Sequence, residues 1–206
     1  MRNLAVGLAV SSLLILSFTA EANASPITLT AMLSGGTESP PNSSPALGSV
    51  TVVYDGAAHT LGLQATFSGL TGLDTAAHIH CCTTASFTGT AGVATTVPAF
   101  VGFPLGVTSG FFDNLLHPYD LTDPAFWNPT FLANNGGSPS TAEAAFAEGL
   151  PKGTEYFNIH TDTIPSGEIR GFLQVQVPEP ATLAMFGAGL LGVGAIRRRV
   201  RNRKDA

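Results

Sequence analysis

His78 and His80 stand two positions apart, with Ile79 between them. On a β-strand this spacing turns both imidazole rings to one face of the sheet and Ile79 to the other. His160 lies in a second apolar segment, and it would bring a third imidazole to the pair if the two strands were neighbours. Three imidazoles suit zinc or copper and leave one coordination position open for water.

The sequence favours a simpler interpretation of these histidines, in which their rings hydrogen-bond backbone or threonine groups inside a β-sandwich. In the metal interpretation, Asp74, Asp162 and Glu168 would serve as further ligands or would accept hydrogen bonds from the ring N–H groups. His59 and His117 stand in turn or loop contexts, and we interpret both as bystanders.

Cys81 and Cys82 are adjacent and are the only cysteines of the chain, so a long-range disulfide within the chain is excluded. Two free thiols in an exported protein are expected to oxidise or to bind a ligand. The alternatives are a disulfide between the two neighbours, a bridge to another molecule, a buried pair, or soft ligands that complete a site with His78 and His80.

The string from Gly167 to Gly171 holds Glu168 and Arg170 two positions apart, on one face of a predicted strand. Two structural roles are open for the pair: a local ion pair, or an arginine that anchors carbonyl groups of a neighbouring loop. Arg170 is the only arginine between residues 25 and 176. Its removal is therefore expected to cost more stability than the removal of a surface lysine.

The sequence contains no assembled set of catalytic residues. It has no Gly-x-Ser-x-Gly elbow, no phosphate-binding loop and no His-Glu-x-x-His pair. Paired carboxylates could hydrolyse glycosides, but nothing in the sequence selects two of the acidic residues for that role. We therefore expect a protein that is not an enzyme.

The charge is divided unevenly along the chain. The formal net charge is −5, but six of the nine Lys and Arg residues lie in the last ten positions. Between residues 25 and 176 there are two basic residues against eleven acidic ones, a formal charge of −9. An acidic domain of this kind excludes nucleic acid as a partner, because nucleic-acid binding depends on Lys and Arg at the phosphates.

Alternating apolar and polar positions predict strands rather than long helices, and the 23 glycines and 14 prolines fit short strands joined by turns. The sequence predicts a hairpin turn over residues 55–58 and one short helix over residues 140–148, with Ser140 or Thr141 as the N-cap and Gly149 at the end. The predicted fold is all-β: one antiparallel sandwich or barrel with a long insertion. The strands are expected at residues 27–33, 48–54, 59–67, 76–80, 154–161 and 168–175.

Residues 1–24 have the layout of a secretory signal peptide, with a basic start, an apolar run and a small-x-small site. Signal peptidase is expected to cleave between Ala24 and Ser25, which leaves residues 25–176 as the predicted domain.

The other terminus carries Pro178-Glu179-Pro180, an uncharged stretch over residues 181–196, and an arginine cluster. The stretch is expected to span the inner membrane as a helix, with the basic end in the cytoplasm. The cluster begins with Arg197, Arg198 and Arg199.

Residues 177–204 resemble a PEP-CTERM sorting signal, whose three parts occur here in the same order. In that family an exosortase, a membrane transpeptidase, recognises the tail and cuts it near the Pro-Glu-Pro. The resemblance implies a precursor that is anchored transiently in the inner membrane of a bacterium. The mature form is then expected at the cell surface, in the envelope or in the extracellular matrix.

A second resemblance covers residues 27–175. The histidine strings, the Pro-Ser-Gly-Glu-Ile-Arg-Gly-Phe-Leu run at 165–173 and the Leu-Ser-Gly-Gly-Thr-Glu-Ser-Pro-Pro run at 33–41 look like a CHRD domain, the domain named from chordin. The resemblance implies an immunoglobulin-like β fold with no established enzymatic activity. Cys81 and Cys82 depart from the family pattern, which normally enters a glycine-containing turn there, and growth-factor binding is not carried over to this chain.

Together these patterns predict an exported, non-enzymatic module that binds an extracellular polysaccharide or protein, or that has a structural role. The alternative is a metal-binding protein or a small metal-dependent oxidoreductase that uses zinc or copper at His78, His80 and His160.

Overall fold

The strands of the domain pair into one antiparallel sheet. The computed structural model describes residues 25–176, and within that range the sheet has nine strands in the order β4-β7-β8-β1-β2-β3-β5, with β6 paired to β3 and β9 paired to β1. The strands are β1 (Ile27–Ser34), β2 (Leu47–Asp55), β3 (Thr60–Ser68), β4 (Asp74–His80), β5 (Gly110–Asp113), β6 (Tyr119–Asp120), β7 (Tyr156–Thr161), β8 (Ile169–Phe172) and β9 (Gln174–Val175).

The alternation of side chains along β1, β2 and β3 explains why these strands form the centre of the sheet. In β1, Leu29 and Leu33 are fully buried while Met32 is exposed. Because successive side chains of a strand point to opposite faces, one face of the sheet becomes apolar. The sheet curls into a half-barrel around this apolar face.

The β2–β3 hairpin has its turn at the predicted place in the sequence. The two strands pair without a break from Leu47 opposite Ser68 to Asp55 opposite Thr60. The Asp55 carboxylate accepts hydrogen bonds from the N–H groups of Ala57 and Ala58, at 2.9 and 3.0 Å, and so closes the turn.

A long insertion between β4 and β7 carries β5, β6 and two helices, α1 (Pro129–Asn134) and α2 (Pro139–Gly149). Single turns of 3₁₀ helix occur at Gly35–Thr37, Pro124–Phe126 and Leu150–Lys152. Aromatic side chains of the insertion pack into the core, and Trp127 donates its indole N–H to the Leu121 carbonyl at 2.8 Å. The insertion is therefore an integral part of the domain.

Helix α2 confirms the predicted helix and extends it by one residue at each end. The N-cap is Ser138, not Ser140 or Thr141: the Ser138 hydroxyl accepts the Thr141 N–H in a capping box, and Pro139 occupies the first turn. Helix α1, with Asn128 as its cap, was not predicted, and neither were β5 and β6.

The all-β class and the single domain with a short helix in its insertion agree with the prediction. The predicted signal peptide at 1–24, the Pro-Glu-Pro motif and the membrane helix at 181–196 lie outside the described residues. Within residues 25–176, none of the helices has the length and apolar character needed to cross a membrane.

Candidate metal centre

Strands β4 and β7 are neighbours, and their pairing brings three histidines together. His78 lies opposite Asn158 and His160 lies opposite Ala76, so His78 and His160 are diagonal neighbours on one face of the sheet. The ring centroid of His78 is 4.8 Å from that of His80 and 4.7 Å from that of His160. One ligand atom from each of the three rings lies within 4.8 Å of the other two.

Two backbone carbonyls determine which ring nitrogen of His80 and of His160 carries no proton. His80 donates its Nδ1–H to the Ala91 carbonyl at 2.8 Å, and His160 donates its Nδ1–H to the Pro165 carbonyl at 2.9 Å. In a neutral imidazole the other nitrogen, Nε2, then carries the lone pair that a metal ion needs. Both Nε2 atoms are buried and have no hydrogen-bond partner among the described residues, and the same holds for Nδ1 of His78.

The histidines are held in the neutral form that binds metal ions. Burial, with the nearby His80 and His160 rings as lesser causes, lowers the pKa of His78 to about 3. Burial also lowers the pKa of His80 to about 4, and it lowers the pKa of His160. At neutral pH the three rings therefore offer lone pairs instead of positive charges.

The arrangement fits a zinc or copper ion. Three atoms no more than 4.8 Å apart all lie within about 2.8 Å of a common point, and Zn–N bonds are ~2.0–2.1 Å long. Each ring therefore needs to move by less than about 1 Å to reach bonding distance. Three neutral imidazoles satisfy the ligand preference of both metals, and a bound ion would have a fourth position open.

Two side chains, stacked one on the other, support the His80 ring. The Tyr156 ring lies against it with the centroids 4.6 Å apart and an angle of 9° between the planes. The Arg170 guanidinium covers Tyr156, 4.6 Å from the ring centroid. The Tyr156 hydroxyl also bonds the Ala91 carbonyl at 3.2 Å, so the carbonyl that orients His80 is itself held in place.

Comparison with protein-family models shows the family to which this domain belongs. A family model described as the CHRD domain matches residues 29–173, which is more than half of the chain. The chain belongs to the CHRD family. Comparisons with curated proteins and with solved structures give no match.

A second family model, the PEP-CTERM protein-sorting motif, matches residues 176–199. This CHRD protein is therefore exported, directed to the cell envelope or surface, and processed by exosortase-type machinery. The sorting motif begins at Gln176, directly after the last strand of the CHRD domain. Its Pro178, Glu179 and Pro180 and the arginine cluster lie outside the described residues.

The carboxylates suggested as metal ligands serve other groups in the CHRD domain. Asp74 accepts the Val107 N–H at 2.7 Å, and Asp162 accepts the Leu73 N–H at 3.0 Å. Glu168 accepts hydrogen bonds from Ser44, Thr71 and Thr161, which lower its pKa against the effect of burial. The carbonyls of Ala91 and Pro165 take the supporting role expected of these acids.

His59 and His117 do not belong to the histidine cluster. His59 lies 2.8 Å from the Glu143 carboxylate, where it ties the β2–β3 turn to helix α2. His117 donates its backbone N–H to the Asn114 carbonyl at 2.9 Å, within a loop of the insertion. Their interpretation as bystanders to the metal site agrees with these positions.

Cys81 and Cys82 form a disulfide between sequence neighbours. The cysteines group with Glu155 and not with the histidines: their sulfur atoms and a Glu155 oxygen lie within 4.8 Å of one another. Glu155 is fully buried, and this burial raises its pKa well above the usual range. The two cysteines are thus bonded to each other and do not lie with His78 and His80.

Arg170 anchors loop carbonyls, which is one of the two roles predicted for it. Its Nε donates to the Thr37 carbonyl, and an Nη donates to the Gly89 carbonyl at 3.0 Å. Its acidic partner is Glu38, whose Oε2 lies 3.7 Å from Nε, and not Glu168, which is two positions away in the sequence.

The turn before β8 requires glycine at position 167. Gly167 has a φ of +126°, and a Cβ there would meet Asn158 and Glu38 at 2.7–2.9 Å.

Proposed function

We propose that this exported CHRD protein is a metal-binding module of the cell envelope or extracellular matrix, which holds one zinc or copper ion at His78, His80 and His160. The observation that carries the proposal is the set of three buried imidazole nitrogens with no partner among the described residues. A buried polar atom left without a partner costs free energy, and a bound cation would remove that cost.

The protein's own groups supply the orientation of the site. The Ala91 and Pro165 carbonyls hold the Nδ1–H tautomers, and Tyr156 restricts the His80 ring. Outer partners of this kind typically contribute 10–100-fold to metal affinity. The bound ion would supply a Lewis-acidic centre with one open position.

We propose binding and not turnover as the role of the site. Within the described part of the chain, the group of ligand atoms here consists of the three imidazoles, and it includes no carboxylate. The open coordination position would then accept a donor group of an extracellular polysaccharide or protein. Rapid turnover of an ester, a glycoside or superoxide by the purified chain would contradict this role.

The direct test is elemental analysis of the full chain, expressed with its own termini and purified without a chelator. We expect about one equivalent of zinc or copper per chain, and loss of that metal in the His78→Ala/His80→Ala double variant. His117→Gln is the matched control, because it removes an imidazole that does not belong to the cluster. Equal metal content in the double variant and the parent chain would overturn the proposal.

A further inference from the structure

The disulfide and the buried Glu155 form a second group of ligand atoms, separate from the histidines. Glu155 Oε1 lies 3.8 Å from Cys82 Sγ. The other oxygen, Oε2, is buried without a hydrogen-bond partner in the described part of the chain. A fully buried carboxyl group that points at two sulfur atoms and leaves one oxygen unused is unusual, because buried polar atoms are normally paired.

This group lies at the edge of an open cavity of about 730 Å³, whose lining residues all belong to the insertion between β4 and β7. Cys81 and Cys82 both line the cavity, and Cys82 is exposed to solvent. Lys152 and Glu148 stand at the rim, where they pair with each other at 2.6 Å. A small thiol or a metal ion can therefore reach the sulfur atoms from the cavity.

Backbone hydrogen bonds hold two of the three residues, Cys81 and Glu155, independently of the sulfur–sulfur bond. The Cys81 N–H donates to the Gly92 carbonyl at 3.0 Å, and the Leu173 N–H donates to the Glu155 carbonyl at 2.9 Å. The close approach of α2 depends on Gly149, since a Cβ at this position would lie 2.7 Å from both Cys82 Sγ and Glu155 Oε1. The fold therefore keeps Cys81, Cys82 and Glu155 next to one another.

We propose that, once the disulfide is reduced, Cys81, Cys82 and Glu155 bind a thiophilic divalent metal ion. Two thiolates and a carboxylate form a ligand set that soft and borderline ions such as zinc and cadmium prefer. The site is distinct from the histidine site, and it does not depend on whether the histidines bind metal.

The chemistry requires a two-electron reductant, either a thiol or a phosphine. A phosphine takes up the oxygen of one water molecule and becomes the phosphine oxide, while the disulfide becomes two cysteine thiols. Two thiols donate two electrons and two protons to the disulfide, which becomes two cysteine thiols, while the reductant becomes its own disulfide. Binding of the divalent ion then displaces both thiol protons, and a third proton leaves if the Glu155 carboxyl is protonated. Two thiolates and one carboxylate around a divalent ion give a site with a charge of −1.

The position of the cysteines links the two sites through one strand. His80 is the last residue of β4, and its ring faces His78 and His160. Cys81, the next residue, belongs to the hydrophobic core instead. Two residues that are neighbours in the sequence therefore belong to different ligand groups, so the two sites can be removed separately by mutation.

The test uses the full chain carrying His78→Ala/His80→Ala, with Cd²⁺ as the probe. After treatment with a phosphine reductant and a count of free thiols, we expect one Cd²⁺ per chain and an ultraviolet sulfur-to-cadmium charge-transfer band. The oxidised variant should show neither. The proposal is overturned if the reduced variant, with two free thiols, gives no band, or if the disulfide of the native chain resists the reductant.

Further variants test the role of each ligand and guard against a folding defect. Glu155→Gln should keep two reducible cysteines but weaken Cd²⁺ binding at least about tenfold, since loss of even an outer partner costs 10–100-fold. Glu148→Gln, at the cavity rim, should leave the affinity unchanged. In the parent chain, reduction should raise the bound Cd²⁺ by one equivalent. Unchanged affinity in Glu155→Gln would remove the carboxylate from the site.

Discussion

Arg170 Nε lies 3.7 Å from Glu38 Oε2, and only 4% and 6% of the two side chains is exposed. The same guanidinium reaches the carbonyls of Thr37 and Gly89, so one side chain joins the turn after β1, the insertion and β8. Burial outweighs the attraction of Arg170 and raises the pKa of Glu38 to about 7. The pair therefore affects both the stability of the domain and its dependence on pH.

Replacement of Arg170 by alanine should reduce the free energy of unfolding by about 3–5 kcal/mol, because it leaves Glu38 buried without its partner. Lys152→Ala is the matched control: Lys152 is exposed and pairs only with exposed Glu148, so its loss should cost less than about 0.5 kcal/mol. Denaturant unfolding at pH 7 measures both values. Equal losses in the two variants would contradict the anchoring role.

Glu38→Gln should remove part of the pH dependence of stability. The folded pKa of about 7 lies above the usual 4.5, so the folded state holds the proton more tightly than the unfolded state. The contribution of Glu38 is therefore fully present below pH 4.5 and is lost as the pH rises to about 7. Relative to the variant, the parent chain should lose about 2 kcal/mol over this range, at ~1.4 kcal/mol per pKa unit reduced by solvent screening. A constant difference between the two urea-unfolding curves would refute the assignment.

Zinc at a hundred times its dissociation constant should stabilise the full chain by about 2.7 kcal/mol, because it binds the folded state. For a domain of this size, the melting temperature should then rise by about 5–10 °C. His160→Gln should abolish the rise, whereas His117→Gln should retain it. Thermal melts with and without zinc measure the effect, and a rise that persists in His160→Gln would place the ion elsewhere.

Gly149→Ala should destabilise the domain by about 1–3 kcal/mol, since its new methyl group would meet Cys82 and Glu155 in a space without room for it. Gly92→Ala is the control, because a Cβ at Gly92 meets nothing within 4 Å. Chemical denaturation of the two variants checks the difference. A neutral Gly149→Ala would show that α2 can move away from the disulfide.

The elements that the sequence predicted are those with a strong local pattern. The two-residue period of β1 to β3 predicts their buried faces, and the spacing of His78 and His80 predicts their common side. The register that places His160 beside His78 has no local signal, because it depends on the pairing of β4 with β7 across the long insertion. The Ala91 and Pro165 carbonyls were missed because every residue carries such a group.

The elements that were missed are short or depend on distant partners. Strand β6 has two residues and α1 has six, which is too short for a period to show. The pairing of Arg170 with Glu38 joins opposite ends of the domain sequence, whereas the sequence offered Glu168, two positions away, as the nearest partner.

The pairing of β9 with β1 determines how the domain would bear a mechanical load. Val175 lies opposite Leu29, and the Gln176 N–H donates to the Thr28 carbonyl at 2.8 Å. A pull on the sorting segment would therefore act first on this two-residue strand and then on β1, which is held along its whole length by β2. Along the chain β9 directly follows β8, which pairs with β7, so a single strand separates β9 from the strand that carries His160.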